Sequence, residues 1–184
     1  MKLATRLALT TTAVAAVAAG TFLGVTTGTA AATGTGTGTV PPVPSAVKVP
    51  DGNRLTGVFA AEGVQTYTCT DGAWKLLEPA ATLSAAHDRS HRPVALHSRG
   101  PVWVSTVDGS AVNAASVASS PRDGAVDELL LRATATRGSG VFADVSYIQR
   151  LGTRGGLAPS AACSGGDQKS VPYSATYVFY KPSA

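Results

Sequence analysis

The sequence predicts an all-β protein, a single-domain antiparallel β-sandwich or barrel of about seven or eight strands with little helix. Three observations predict it. Long stretches alternate between apolar and polar residues with period two. Aromatic and β-branched residues fill the apolar phase. Turn-forming groups punctuate the stretches: Glu62-Gly63, Asp71-Gly72, Arg99-Gly100-Pro101, Asp108-Gly109, Gly138-Ser139-Gly140 and Gly155-Gly156.

Two segments of other character come first. Lys2 and Arg6 make a positive start, residues 7–25 carry no charge, and small residues follow at Thr29-Ala30-Ala31-Ala32. This pattern predicts an export signal over residues 1–32 that is cleaved after the small residues. The uncharged run is long enough to span a bilayer. Its many Thr and Ala residues make it weakly apolar, so cleavage is favoured over a retained anchor, with no membrane attachment afterwards. Residues 33–47, rich in Thr, Gly and Pro, read as a disordered linker. Residues 48–182 remain for one secreted domain, large enough to bury a core of its own.

Charge narrows the partners. The chain holds 15 basic and 11 acidic residues, and losing Lys2 and Arg6 leaves a net charge of +2. So small an excess predicts neither nucleic acid nor an anionic membrane as partner. An unknown extracellular ligand is expected instead.

Within the domain, strands are predicted at residues 55–60, 64–69, 73–77, 94–97, 102–107, 128–136, 141–151 and 173–180. In the seventh, Tyr147 and Ile148 must point to opposite faces. Asp71-Gly72 is a good hairpin turn between the second and third. Helical character is thin: residues 80–87 and 113–119 have the composition for a turn or two, and 126–132 for a helical start. Cys69 and Cys163 are the only cysteines. Export and an even count predict a disulfide, which would stabilise the fold by ~4 kcal/mol in the chain-entropy view. Neither lies in a C-x-x-C pair or beside an activating His.

With the strands laid out, the ordered residues resemble a family of secreted bacterial and fungal proteins, domain of unknown function 3455. The resemblance is carried by Val49-Pro50-Asp51-Gly52, by Gly63-Val64-Gln65-Thr66-Tyr67-Thr68-Cys69 with Trp74, and by His97-Ser98-Arg99-Gly100-Pro101-Val102-Trp103 leading to Asp108-Gly109-Ser110. It continues through Tyr147-Ile148-Gln149-Arg150-Leu151, Thr153, Gly155-Gly156, Ala158-Pro159, Cys163 and Val171-Pro172-Tyr173. Two positions depart from the family pattern: Gly152, where a polar residue such as Asn is more usual, and Val104, where an acidic residue often follows the Trp. The resemblance implies export and domain boundaries, and no activity.

Chemistry is sparse. Gly138-Ser139-Gly140-Val141-Phe142-Ala143 fits G-x-G-x-x-A, but an alternating segment follows where a dinucleotide fold needs a helix, so no cofactor is expected. His87, His91 and His97 have the side chains for a metal, but the first two stand in a polar, arginine-rich run, and no metal is expected. No G-x-S-x-G elbow occurs. Asp108, Asp127, Glu128 and Asp144 are the carboxylates to weigh for paired acid–base work, and turn or surface roles suit all four. The best candidate ligand-binding group is His97 with Trp103, Asp108 and Arg150: an imidazole, an aromatic face, a carboxylate and a bidentate donor. Its structural alternative has His97 capping a turn, Trp103 in the core and Asp108 opening an Asp-Gly-Ser turn. The residues favour a binding or interaction module for glycan, cell envelope or protein. The competing reading is a small extracellular hydrolase using His97 and a carboxylate.

Overall fold

Residues 39–184 are described by the computed structural model. The expected export signal, and the linker up to residue 38, lie outside the described residues. The alternating segments form eight strands: β1 (Asn53–Thr70), β2 (Ala73–Ala85), β3 (Pro93–Ser98), β4 (Val102–Ser105), β5 (Ala111–Arg122), β6 (Ala125–Arg137), β7 (Tyr147–Gly155) and β8 (Gln168–Pro182). Each pairs antiparallel with the next, and β8 pairs back onto β1, closing a barrel. Closure is partial along the short β3–β4 hairpin: β3 pairs with β2 only at Ala81 to Ser84, and β4 pairs with β5 only at Ala111 to Asn113. One 3-10 turn, Ser45–Val47, is the sole helical element among the described residues.

Several expected boundaries move. Glu62-Gly63 is no turn. It continues β1, Gly63 pairing with Ala81 on one side and Tyr173 on the other. A Cβ at Gly63 would collide with the Ala80 carbonyl and the Ala81 backbone. Glycine here permits close approach where the strand coils, and the expected strands 55–60 and 64–69 are one. The three possible helical stretches, 80–87, 113–119 and 126–132, fall in or run into β2, β5 and β6. Their Ala and Leu content suits a helix locally, but ladder pairing and inward placement of Ala81, Leu83, Ala114 and Leu131 decide otherwise. The expected strand 141–151 begins only at Tyr147. Before it, Asp144 takes a positive φ of 57° and the chain turns, driving Phe142 and Val145 into the barrel. Asp71 and Gly72, at φ 52° and 74°, make the expected hairpin turn.

The inward phase fills the barrel in layers. At one end Phe142 packs 4.7 Å from Phe179 and 6.1 Å from Phe59, ring centre to ring centre. Trp103 lies edge-on to Phe179, and Tyr177 is edge-on to Trp103 in turn. Ile148 belongs to this interior, while Tyr147 packs on the outer wall, as alternation requires. A second apolar cluster coats that wall: Val58, Leu130, Leu151 and Val178, covered by Val47 and flanked by Val40. Gln149 Nε2 donates to the Val47 carbonyl at 2.6 Å, and Tyr180 OH donates to Gln149 Oε1 at 2.9 Å. The Pro-rich half of the expected linker is thus part of the domain. Its valines hide an apolar stripe that would otherwise face water.

Cys69 and Cys163 form a disulfide, Cα–Cα 5.8 Å, joining the end of β1 to the β7–β8 loop. Backbone bonds from Cys69 N to Asp167 O and from Gly166 N to Cys69 O lie beside it. Trp74 Nε1 donates to Ala161 O at 2.9 Å from the facing strand.

Candidate functional site

The two barrel ends differ in chemistry. At one, the Val141–Asp144 turn caps the interior. At the other, a mouth beside the β3–β4 turn opens onto a cavity of about 260 Å³, with Leu76–Pro79 of β2 and Ser116 of β5 in its lining. At ~30 Å³ of liquid per water, that is room for eight or nine waters, the scale of a small organic ligand.

His97 and Trp103 are direct partners across β3 and β4. Their rings stack at 4.2 Å, 4° from parallel. Tyr177 arrives from β8 and meets both edge-on, at 5.2 and 5.3 Å. Next to Tyr177 in the ladder stands Arg150 of β7, which faces Leu129 of β6 on its other side. Gln65 of β1 and the Leu76–Pro79 stretch of β2 complete the wall, with Pro101 and Leu131. The cavity therefore has an apolar, aromatic body with a few polar groups set into it, the usual build of a small-ligand pocket.

His97 is 4% exposed. Its Nδ1 lies 3.0 Å from the Val102 carbonyl. A carbonyl only accepts, so Nδ1 carries the proton and Nε2 keeps its lone pair. Burial pushes the imidazole pKa down to about 4; the Val102 bond opposes this and the Arg150 charge adds to it. His97 is thus a neutral acceptor at neutral pH. Arg150 donates from Nε and Nη2 to the Asp127 carbonyl at 3.0 and 2.8 Å. No carboxylate pairs with it; the ion pair among the described residues is Arg122–Glu128. Among the described residues, three buried side-chain atoms have no partner within hydrogen-bond distance: Gln65 Nε2, Trp103 Nε1 and Tyr173 OH, the last lying beside Gln65 and Tyr177. Their residues are 1%, 0% and 4% exposed. An unmet buried donor costs about 1–3 kcal/mol, so Gln65 and Trp103, both in the cavity lining, require a reason.

Of the four expected site residues, the fold brings together His97, Trp103 and Arg150. Asp108 sits at the opposite end, in the β4–β5 turn. It accepts from Ser110 N at 2.9 Å, Ser110 Oγ at 2.6 Å and Val141 N at 3.0 Å. Ser110 Oγ in turn accepts from Phe142 N at 3.1 Å. Burial acts to raise the Asp108 pKa, but these donors outweigh it and hold the carboxyl down to about 2. Asp108 is the latch of the Phe142 plug. Asp108→Ala should cost about 1–3 kcal/mol in urea unfolding. Ligand binding at the mouth should be unchanged in the folded variant; unaltered stability would contradict the latch.

The other candidates disperse. His87 and His91 are exposed in the β2–β3 loop at the plugged end, away from His97. Among the described residues no three His, Cys, Asp or Glu side chains group as metal ligands. Glu128, 3% exposed, accepts from Arg122 and from Gly152 N at 2.7 Å. Gly152 has φ 58°, a left-handed conformation that Gly and Asn both tolerate. The Gly152 departure from the expected family pattern thus falls at a position that the backbone constrains. Val104 points to the outer wall, opposite in phase to Trp103.

A family model described as "Protein of unknown function (DUF3455)" matches residues 50–181. The chain belongs to this family. No curated protein and no solved structure matches it. Within this DUF3455 barrel, sequence reasoning missed Gln65, Glu78 and the role of Tyr177. Gln65 was accessible: it continues the inward phase of Phe59, Ala61 and Gly63, and a polar residue in that phase marks an interior polar site. Glu78 and Leu129 depend on bulges between Thr66 and Tyr67 and between Ala125 and Leu129, which shift the register.

Proposed function

We propose that this domain is a secreted small-molecule-binding protein that holds one small, largely apolar ligand in the mouth of its barrel. The observation that carries the reading is the cavity of about 260 Å³ with the unpartnered Gln65 Nε2 and Trp103 Nε1 in its wall. Export is supported by the basic start, uncharged run and small residues of 1–32 and by the disulfide. A glycan- or protein-binding surface has less support. Tyr67, Trp103, Tyr173 and Tyr177 are buried, and Trp74 is tied to the β7–β8 loop, so no exposed aromatic platform is formed among them. Hydrolysis has less support as well. His97 Nε2 has a lone pair, but Asp108 is at the far end, and Glu78, the carboxylate in the cavity lining, makes no hydrogen bond to His97.

The test is calorimetric titration with one- and two-ring aromatics and C6–C10 alkyl compounds, neutral and anionic. Saturable one-to-one binding is expected, and Leu129→Trp, which fills the cavity, should abolish it with the far-ultraviolet spectrum unchanged. Absence of saturable binding across the panel, or equal binding by folded Leu129→Trp, overturns the reading.

A further inference from the structure

We infer that the ligand is a small carboxylate with a flat apolar body, its carboxylate anchored by Arg150 and Gln65 and its body laid against the His97–Trp103 wall. This rests on the binding reading above and adds the ligand's chemical class. The first argument is the direction of the unmet hydrogen bonds. Gln65 Nε2 and Trp103 Nε1 can only donate. Arg150 uses two of its five N–H groups on the Asp127 carbonyl and lies against the Tyr177 hydroxyl, with further N–H groups left over. The cavity is rich in donors, so its complement is rich in acceptors.

The second argument is charge. Arg99 and Arg150 line the cavity against one carboxylate, Glu78, which leaves one positive charge in excess. Arg150 is the inner of the two arginines. Its field reaches Tyr67, His97, Tyr173 and Tyr177 together. Gln65 and Arg150 line the same cavity. A guanidinium without a carboxylate partner, in a wall this apolar, suits a single planar anion held by two parallel N–H bonds. The third argument is shape. Leu77, Pro79, Leu129 and Leu131 line the cavity together with the stacked rings, so a flat apolar body would meet mostly apolar surface.

The experiment compares 2-naphthoate with its neutral isostere 2-naphthamide on the full domain at pH 7.5 and low salt. The acid should bind at least about tenfold more tightly, the scale of one charge-assisted hydrogen-bond pair over a neutral one. Arg150→Met should remove that preference, weakening the acid far more than the amide. Arg150→Lys, which keeps the charge if the loss of the Asp127 bonds unfolds the Met variant, should retain part of it. Equal affinity for acid and amide overturns the carboxylate assignment while leaving the binding reading intact, as does a preference that survives in Arg150→Met. Failure of both compounds, together with the whole panel above, overturns the binding reading itself.

Discussion

Breaking the Cys69–Cys163 bond should destabilise the barrel by about 4–5 kcal/mol, the largest single loss expected for this chain. The two cysteines are 94 residues apart. The bridge therefore removes a long loop's worth of freedom from the unfolded chain, and its effect grows with that length. The folded state changes less. The β7–β8 loop keeps its backbone bonds to Cys69 and the Trp74 bond to Ala161 when the sulfurs part. Urea unfolding of Cys69→Ala/Cys163→Ala, beside the oxidised protein, checks this. The midpoint should fall sharply while folded-state spectra stay the same. An unmoved midpoint would show that the unfolded chain is already constrained in other ways.

Acid should produce the second large effect, through His97. Its folded pKa of about 4 lies below the ordinary value of 6.5. Between those values the unfolded chain binds a proton that the folded protein refuses. The stability this contributes is fully present above about pH 6.5 and is lost as pH falls through 4, on the order of 3 kcal/mol in all. Arg150 is the charge that most directly opposes protonation, and Glu78 is the carboxylate on the same cavity. Urea midpoints at pH 7, 5.5 and 4 should decline steadily in the native sequence. In His97→Phe, which keeps a flat ring against Trp103, that part of the decline should vanish. An identical slope in both proteins would mean that His97 is protonated without cost.

The fold class was legible because alternation is a local signal. Residues 173–180 show inward and outward phases plainly, and they occupy the middle of β8. Continuity was less legible. Glu62-Gly63 has the composition of a turn, and only its two neighbours in the sheet make it a strand. The reverse holds at Val141–Asp144, where alternation is present but bonds to Asp108 and Ser110 turn the chain inward. The site followed the same rule. His97 and Trp103 are six residues apart along one hairpin, so their meeting follows from the turn at Arg99-Gly100-Pro101. Arg150 joins them only because β7 lies beside β8, whose Tyr177 crosses the interior. Asp108 was grouped with them by nearness in sequence. An up-and-down barrel sends successive turns to opposite ends, and that separates it.

The seam between β1 and β8 also governs when this molecule can fold. Asn53 meets Pro182 and Thr68 meets Gln168, so the first strand's outer ladder waits for the last one made. Until then β1 has one exposed edge, eighteen residues long, and the interior aromatics have only part of their wall. Such non-local pairing puts the barrel among slow-folding topologies, in milliseconds to seconds rather than microseconds. Synthesis and folding can scarcely overlap, since the core closes only when residues 168–182 have emerged. A chain still open for that long is easily threaded through a narrow pore, and it is also at risk of pairing with a neighbour through the waiting edge of β1.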